Sequence, residues 1–230
     1  MISEMEKPMN ISIFDVVGPV MIGPSSSHTA GAARLGKAAR LIVRDEFKHV
    51  SFHLHGSFAK TGKGHGTDRA LVAGALGMDT DDERLAHSFE LAKEQGLTFD
   101  FCEDEMEDVH ENTVRMIFTM KDGSEKEVLG SSVGGGQIKI CEINGFATDA
   151  DLQLPTLVMQ HHDRKGVIAY VTKTLMEHSI NIANMKLSRR SKSDIACCVI
   201  ETDDIIPEEV EAKILENENV IYAKLINLGE

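Results

Sequence analysis

The sequence predicts an α+β fold in two parts, a sheet-and-helix region over residues 1–153 and a βαββαβ unit over residues 154–230. Two observations carry this. In the first part, single helices are interleaved with a run of hairpin-linked strands; past Asp149 and Pro155, strands and helices follow one another in a fixed order. Runs that mix antiparallel strands with segregated helices define the α+β class.

The elements are read in order. Pro24 ends whatever precedes it, any of Ser25 to Thr29 can cap a helix, and the Ala-rich run to Arg44 repeats apolar residues at Leu35, Ala38 and Ile42. Val50, Phe52 and Leu54 alternate with Ser51, His53 and His55, a half-buried strand that runs into a glycine-rich loop ending near Thr67. Asp68 to Gly77 is read as a helix, Asp82 to Gln95 as another closed by Gly96, and Leu97 to Cys102 as a strand. Seven acidic residues between Asp100 and Glu111 describe a solvated loop. Thr113 to Met120 pairs with Glu127 to Ser132 through Asp122-Gly123, Gly134 to Gly136 interrupt, and Gln137 to Ile143 precedes an Asn144-Gly145 turn. In the second part, strands are expected at Thr156 to Gln160, Asn181 to Ser188, Asp194 to Glu201 and Val220 to Asn227, with helices at Gly166 to His178 and Pro207 to Glu216. That order is the ferredoxin-like split unit.

Composition narrows the partners. A net charge of −13 with no Trp and two Tyr opposes binding to nucleic acid or to an anionic membrane surface, so small molecules and proteins are expected. No apolar run reaches the length of a membrane span and the N-terminus has no basic segment before an apolar one, so a cytoplasmic protein is expected. Cys102, Cys141, Cys197 and Cys198 form no CxxC pair and have no His at zinc-ligand spacing, which leaves no metal site to assign.

The most informative stretch is Gly23-Pro24-Ser25-Ser26-Ser27-His28-Thr29. One oxygen suffices to cap a helix; three consecutive hydroxyls with an imidazole exceed that need. Free N–H groups and the positive dipole end of a first turn favour a carboxylate or phosphate. His65 lies between Gly64 and Gly66, and His110 and Asn112 stand just before the strand that starts at Thr113.

With Asn10 to Asp15 just before it, the Ser-Ser-Ser-His-Thr stretch resembles the start of the iron–sulfur L-serine dehydratases, whose two-chain bacterial members have a β chain of about this length. Gly62-Lys63-Gly64-His65-Gly66-Thr67-Asp68, His110-Glu111-Asn112-Thr113 and Ser132-Val133-Gly134-Gly135-Gly136 match the family in the same order. The resemblance implies the β subunit of an ammonia-lyase of serine catabolism. Its four-iron four-sulfur cluster is expected on the α chain and not ligated here. It further implies His65, His110 and Asn112 as catalytic and Ser25, Ser26, Ser27, His28 and Thr29 as binders of the carboxylate or amino group of L-serine, with His28 either in that shell or holding the loop.

The last 75 or so residues, with Asp163 to Gly166 at the first strand-to-helix turn and Asn181-Ile182-Ala183 opening the second strand, resemble an ACT domain. That implies side-by-side pairing into a homodimer and an effector site drawing on Asp163, Gly166 and Asn181. The first part also resembles the allosteric substrate-binding domain of some phosphoglycerate dehydrogenases, so a non-catalytic serine-sensing module is the competing expectation.

Overall fold

In a computed structural model, residues 20–43 and 46–228 are described; the Asn10 to Asp15 segment and Arg44 lie outside them. A π-type turn, Ser26–Ala30, leads directly into helix α1, Gly31–Val43. Strand β1, Phe47–Leu54, is followed by α2, Gly56–His65, and α3, Thr67–Ala75. A 3-10 turn, Glu83–His87, precedes α4, Ser88–Glu94. Strands β2 (Thr98–Glu103), β3 (Thr113–Met120), β4 (Glu125–Gly134), β5 (Gln137–Ile143) and β6 (Phe146–Ala150) complete a six-stranded sheet of order β2-β1-β3-β4-β5-β6. β1 and β2 pair in parallel, as the intervening helices require, and the other neighbours are antiparallel.

The second sheet is built from β7 (Thr156–His162), β8 (Ile182–Arg189), β9 (Ile195–Thr202) and β10 (Val220–Ile226), with α5 (Val167–Glu177) and α6 (Glu208–Leu215). Its order, β10-β7-β9-β8, is antiparallel throughout. All six elements fall within two residues of their expected bounds. Continuous apolar runs in β7 and β9 and apolar residues at helical spacing in α5 and α6 are unambiguous here.

Three expectations need correction. The glycine-rich loop between His55 and Thr67 is the ten-residue helix α2. Phe58 is fully buried beneath it and Thr61 donates to the Ser57 carbonyl at 2.9 Å, so packing overrides the low helix propensity of glycine. The single helix expected from Asp82 to Gln95 is broken, because buried Ser88 donates to the Arg69 carbonyl at 2.8 Å and anchors the chain there. Strand β6 was not expected, although buried Phe146, Thr148 and Ala150 alternate with exposed residues along it.

Helix α1 lies between α3 and strands β4 and β5 and also touches β10. It packs on α3 at very short range, since a Cβ on Gly74 would lie 2.1 Å from the Ala33 carbonyl oxygen and 2.6 Å from the Lys37 nitrogen. The two sheets share one apolar core: Val158, Cys197, Val199 and Ile226 join the cluster of α1 and the first sheet, whereas Cys198 and Ile200 face the cluster of α5 and α6. Polar links cross the same junction, from Lys186 to the Thr148 carbonyl at 3.1 Å and from Arg190 to that of Asn144 at 2.7 Å. Among the described residues no helix is long and apolar enough to cross a membrane.

Candidate functional site

The turn before α1 is held by its own first residue. Ser25 accepts the His28 N–H on its hydroxyl at 3.1 Å and the Thr29 N–H on its carbonyl at 2.9 Å. The capping role that one hydroxyl must fill is therefore taken by Ser25. Ser27 lies 3.0 Å from His28 Nδ1, and buried Thr29 donates to the His65 carbonyl at 2.9 Å. Among the described residues the Ser26 hydroxyl has no hydrogen-bond partner.

His28 reaches across to α2. Its Nε2 is 3.0 Å from both the Ser57 and the Thr61 hydroxyls, its ring meets Phe58 edge-on at 5.4 Å, and it lies 5.1 Å from the ring of His65. Burial, then the nearby His65, push the His28 imidazole below its ordinary pKa, against an opposing hydrogen bond with the Ser57 backbone. The two lowering effects favour the neutral ring.

His65 closes α2, where Gly66 takes the left-handed conformation at φ 69° and carries the chain straight into α3. Its Nδ1 is 3.1 Å from the Thr61 carbonyl, which can only accept. The neutral ring then carries its proton on Nδ1 and presents an Nε2 lone pair away from the helix. His110 is arranged in the opposite sense: its Nδ1 accepts the Asn112 N–H at 3.1 Å, so neutral His110 offers an Nε2–H donor.

The loop carrying His110 and Asn112 is fastened to the start of α2 and to β4. Ser57 N–H donates to the Glu111 carbonyl at 2.8 Å, Gly56 at φ 53° would bring any Cβ within 2.6 Å of that oxygen, and Ser132 N–H donates to the Asn112 carbonyl at 2.9 Å. Ser132 in turn abuts Gly31, where a Cβ would sit 2.1 Å from its hydroxyl, and that hydroxyl is buried without a partner. Thus His28 and His65 meet directly, while His110 and Asn112 join the other end of α2, about 12 Å away along its axis. A cleft of about 270 Å³ lined by His55, Gly56, Ser57, Lys60, Thr61 and Glu111 opens beside them.

Ser57 and Thr61 were missed from the sequence. Ser57, Thr61 and His65 are spaced four apart, which places them on one helical face, but the glycines direct the segment to a loop reading.

The residues expected around an effector are not gathered within one chain. Asp163 accepts from Arg189 Nη1 at 2.8 Å and from the Ser193 N–H at 3.0 Å, and these contacts hold its carboxyl below the usual range. Gly166, at φ 93°, starts α5 beside it. Asn181 donates to Asp203 at 2.6 Å at the opposite end of the sheet, since β7 pairs Thr156 with Glu201 there and His162 with Ile195 here.

The cysteines do not suit an iron–sulfur cluster. Cys197 and Cys198 are buried neighbours on opposite faces of β9 with thiols pushed up to about 12, and Cys102 and Cys141 stand on separate strands. Among the described residues no three His, Cys, Asp or Glu side chains are placed to hold a metal ion.

Hydroxyls, two imidazoles and a small polar cleft thus gather around α2 at an open surface of an α+β scaffold. The comparisons with known proteins specify the family. The family model described as serine dehydratase beta chain matches residues 12–94. The L-serine dehydratase beta chain of Peptoniphilus asaccharolyticus is 42% identical over 94% of this chain and 98% of its own length. The probable L-serine dehydratase beta chain of Bacillus subtilis is 40% identical over 94% and 97%. A D-3-phosphoglycerate dehydrogenase of Bacillus subtilis is 26% identical over 86% of this chain and 37% of its own. The chain belongs to the serine dehydratase β-chain family.

Proposed function

We propose that this chain is the β subunit of an L-serine dehydratase and, with an α chain, converts L-serine to pyruvate and ammonia. The observation that carries the reading is the His65 imidazole, fixed through Nδ1 and presenting a free Nε2 lone pair beside the hydroxyl-rich turn. His65 takes the Cα proton of serine. The electron pair of that C–H bond becomes the C=C bond of aminoacrylate as the Cβ–O bond breaks and the hydroxyl leaves as hydroxide, and His110, at the other end of α2, offers an Nε2–H donor. Aminoacrylate tautomerises to the imine, and water releases ammonia and pyruvate. A four-iron four-sulfur cluster on the α chain, rather than any cysteine here, supplies the Lewis acid for the leaving oxygen. A serine-sensing module is less favoured, because binding alone has no need of a base.

The decisive experiment is reconstitution. This chain alone is expected to leave serine unchanged, and the anaerobically assembled pair to release pyruvate. An assembled pair, loaded with iron and sulfide, that binds serine without producing pyruvate would return the sensor reading.

With the chain divided at residues 1–153 and 154–230, the second part is proposed to be an ACT domain that makes the chain a homodimer through β8, an edge strand of its sheet. Met185 and Leu187 are exposed on that strand. Two-fold antiparallel pairing would set Asn181 of one copy beside Arg189 of the other, and Arg189 is bonded to Asp163. Asp163, Gly166 and Asn181, separated in one chain, would then meet across two. Leu187→Lys is expected to give monomers by light scattering. A variant as dimeric as the wild type moves the contact elsewhere.

A further inference from the structure

The hydroxyl of Thr61 has one proton, and the Ser57 carbonyl at 2.9 Å takes it. Only lone pairs of Thr61 then face His28 Nε2 at 3.0 Å. If Nε2 were unprotonated, two lone pairs would oppose each other at that distance. With the proton on Nε2, the ring donates to Thr61 and to Ser57 Oγ, also at 3.0 Å. Ser57 alone does not decide between the two forms, since its hydroxyl can donate or accept. Thr61 does decide.

The consequence passes through the ring. With its proton on Nε2, neutral His28 has a lone pair on Nδ1, and Ser27 at 3.0 Å must donate to it. The Ser27 oxygen is left with acceptor capacity only, one lone pair facing the Ser25 hydroxyl at 3.4 Å and the other open. An oxygen so committed repels a carboxylate and suits a cationic donor.

We propose that Thr61 is a positioning residue that holds His28 in its Nε2–H tautomer, and that Ser27, oriented by that ring, accepts a hydrogen bond from the ammonium group of an α-amino acid. The carboxylate is left to the free Ser26 hydroxyl and to the first N–H groups of the turn. The tautomer stands independently of the reaction; the assignment of the ammonium group rests on the serine dehydratase reading.

The test has two arms, so that either part can fail separately. In the full-length chain labelled with 15N-histidine, His28 should show a protonated Nε2 and an unprotonated Nδ1. Thr61→Val, of the same shape, should give a mixture or the reverse, and Thr61→Ser should match the wild type. A wild-type proton on Nδ1, or an Nε2–H form that survives Thr61→Val, overturns the proposal whatever the chain catalyses.

In the reconstituted enzyme, Thr61→Val should raise the KM for serine about five- to tenfold, the effect of one weakened hydrogen bond, with kcat changed less than about twofold. Thr61→Ser should stay near the wild type. Inhibition by L-glycerate, with a hydroxyl in place of the ammonium group, should be unchanged in Thr61→Val. An equal loss for serine and glycerate overturns the ammonium assignment. A wild-type pair with no serine turnover overturns the function reading instead, and the first arm then decides the tautomer.

Discussion

His65→Ala lowers kcat of the reconstituted enzyme about a hundredfold or more, with a much smaller change in KM, because a base acts in the transition state and contributes little to ground-state binding. The two imidazoles near the site are further separated by glutamine, whose amide can donate but cannot accept a proton. His110→Gln should recover part of the activity lost in His110→Ala, since His110 offers a donor. His65→Gln should recover none. Cluster content matched to the wild type excludes a trivial loss. Near-normal turnover in His65→Ala would remove the base from this chain.

The largest effect on stability is expected at the crossing of α1 and α3. Gly74→Ala inserts a methyl where backbone atoms already stand 2.1 and 2.6 Å away, so the helices must separate rather than a side chain turn aside. Overpacking of this kind costs about 1–3 kcal/mol or more. For a chain of this size that lowers the melting temperature by several degrees, at roughly 2–4 °C per kcal/mol. Gly64→Ala is the natural comparison, because nothing lies within 4 Å of its Cβ position and it lies inside α2. Replacing an exposed glycine within a helix should stabilise by about 0.5–1 kcal/mol. Thermal melts of the two variants should therefore move in opposite directions, and an unshifted Gly74→Ala would show that the crossing can relax.

The second sheet was legible almost to the residue, because β7 and β9 are apolar and buried along nearly their whole length and α5 and α6 bury residues at helical spacing. The first part was legible in its strands and less so in its helices. α2 is the instructive case: Gly56, Gly62, Gly64 and Gly66 punctuate it at short intervals, and local preference alone makes a loop. What overrides that preference is remote, namely the pocket that takes Phe58 and the Glu111 carbonyl that receives the Ser57 N–H. The same remoteness hid Ser57 and Thr61, whose partner His28 lies 29 and 33 positions away. The imidazoles themselves were found by residue type and motif, but the difference between His65 and His110 resides in which nitrogen each ring has already committed. No sequence pattern carries that. Asp163 and Asn181, drawn together by motif, stand at opposite ends of the sheet within one chain.

The position of β10 has a consequence for biosynthesis. It is the last strand of the described residues, yet it lies against α1, their first helix, and Ile226 belongs to the core that α1 shares with the first sheet. Until β10 emerges, α1 and its neighbours carry an apolar flank with no cover. The two parts are thus completed together only once β10 is in place, and a nascent chain whose β10 has not yet emerged, or one clipped before it, would present that flank to chaperones and proteases.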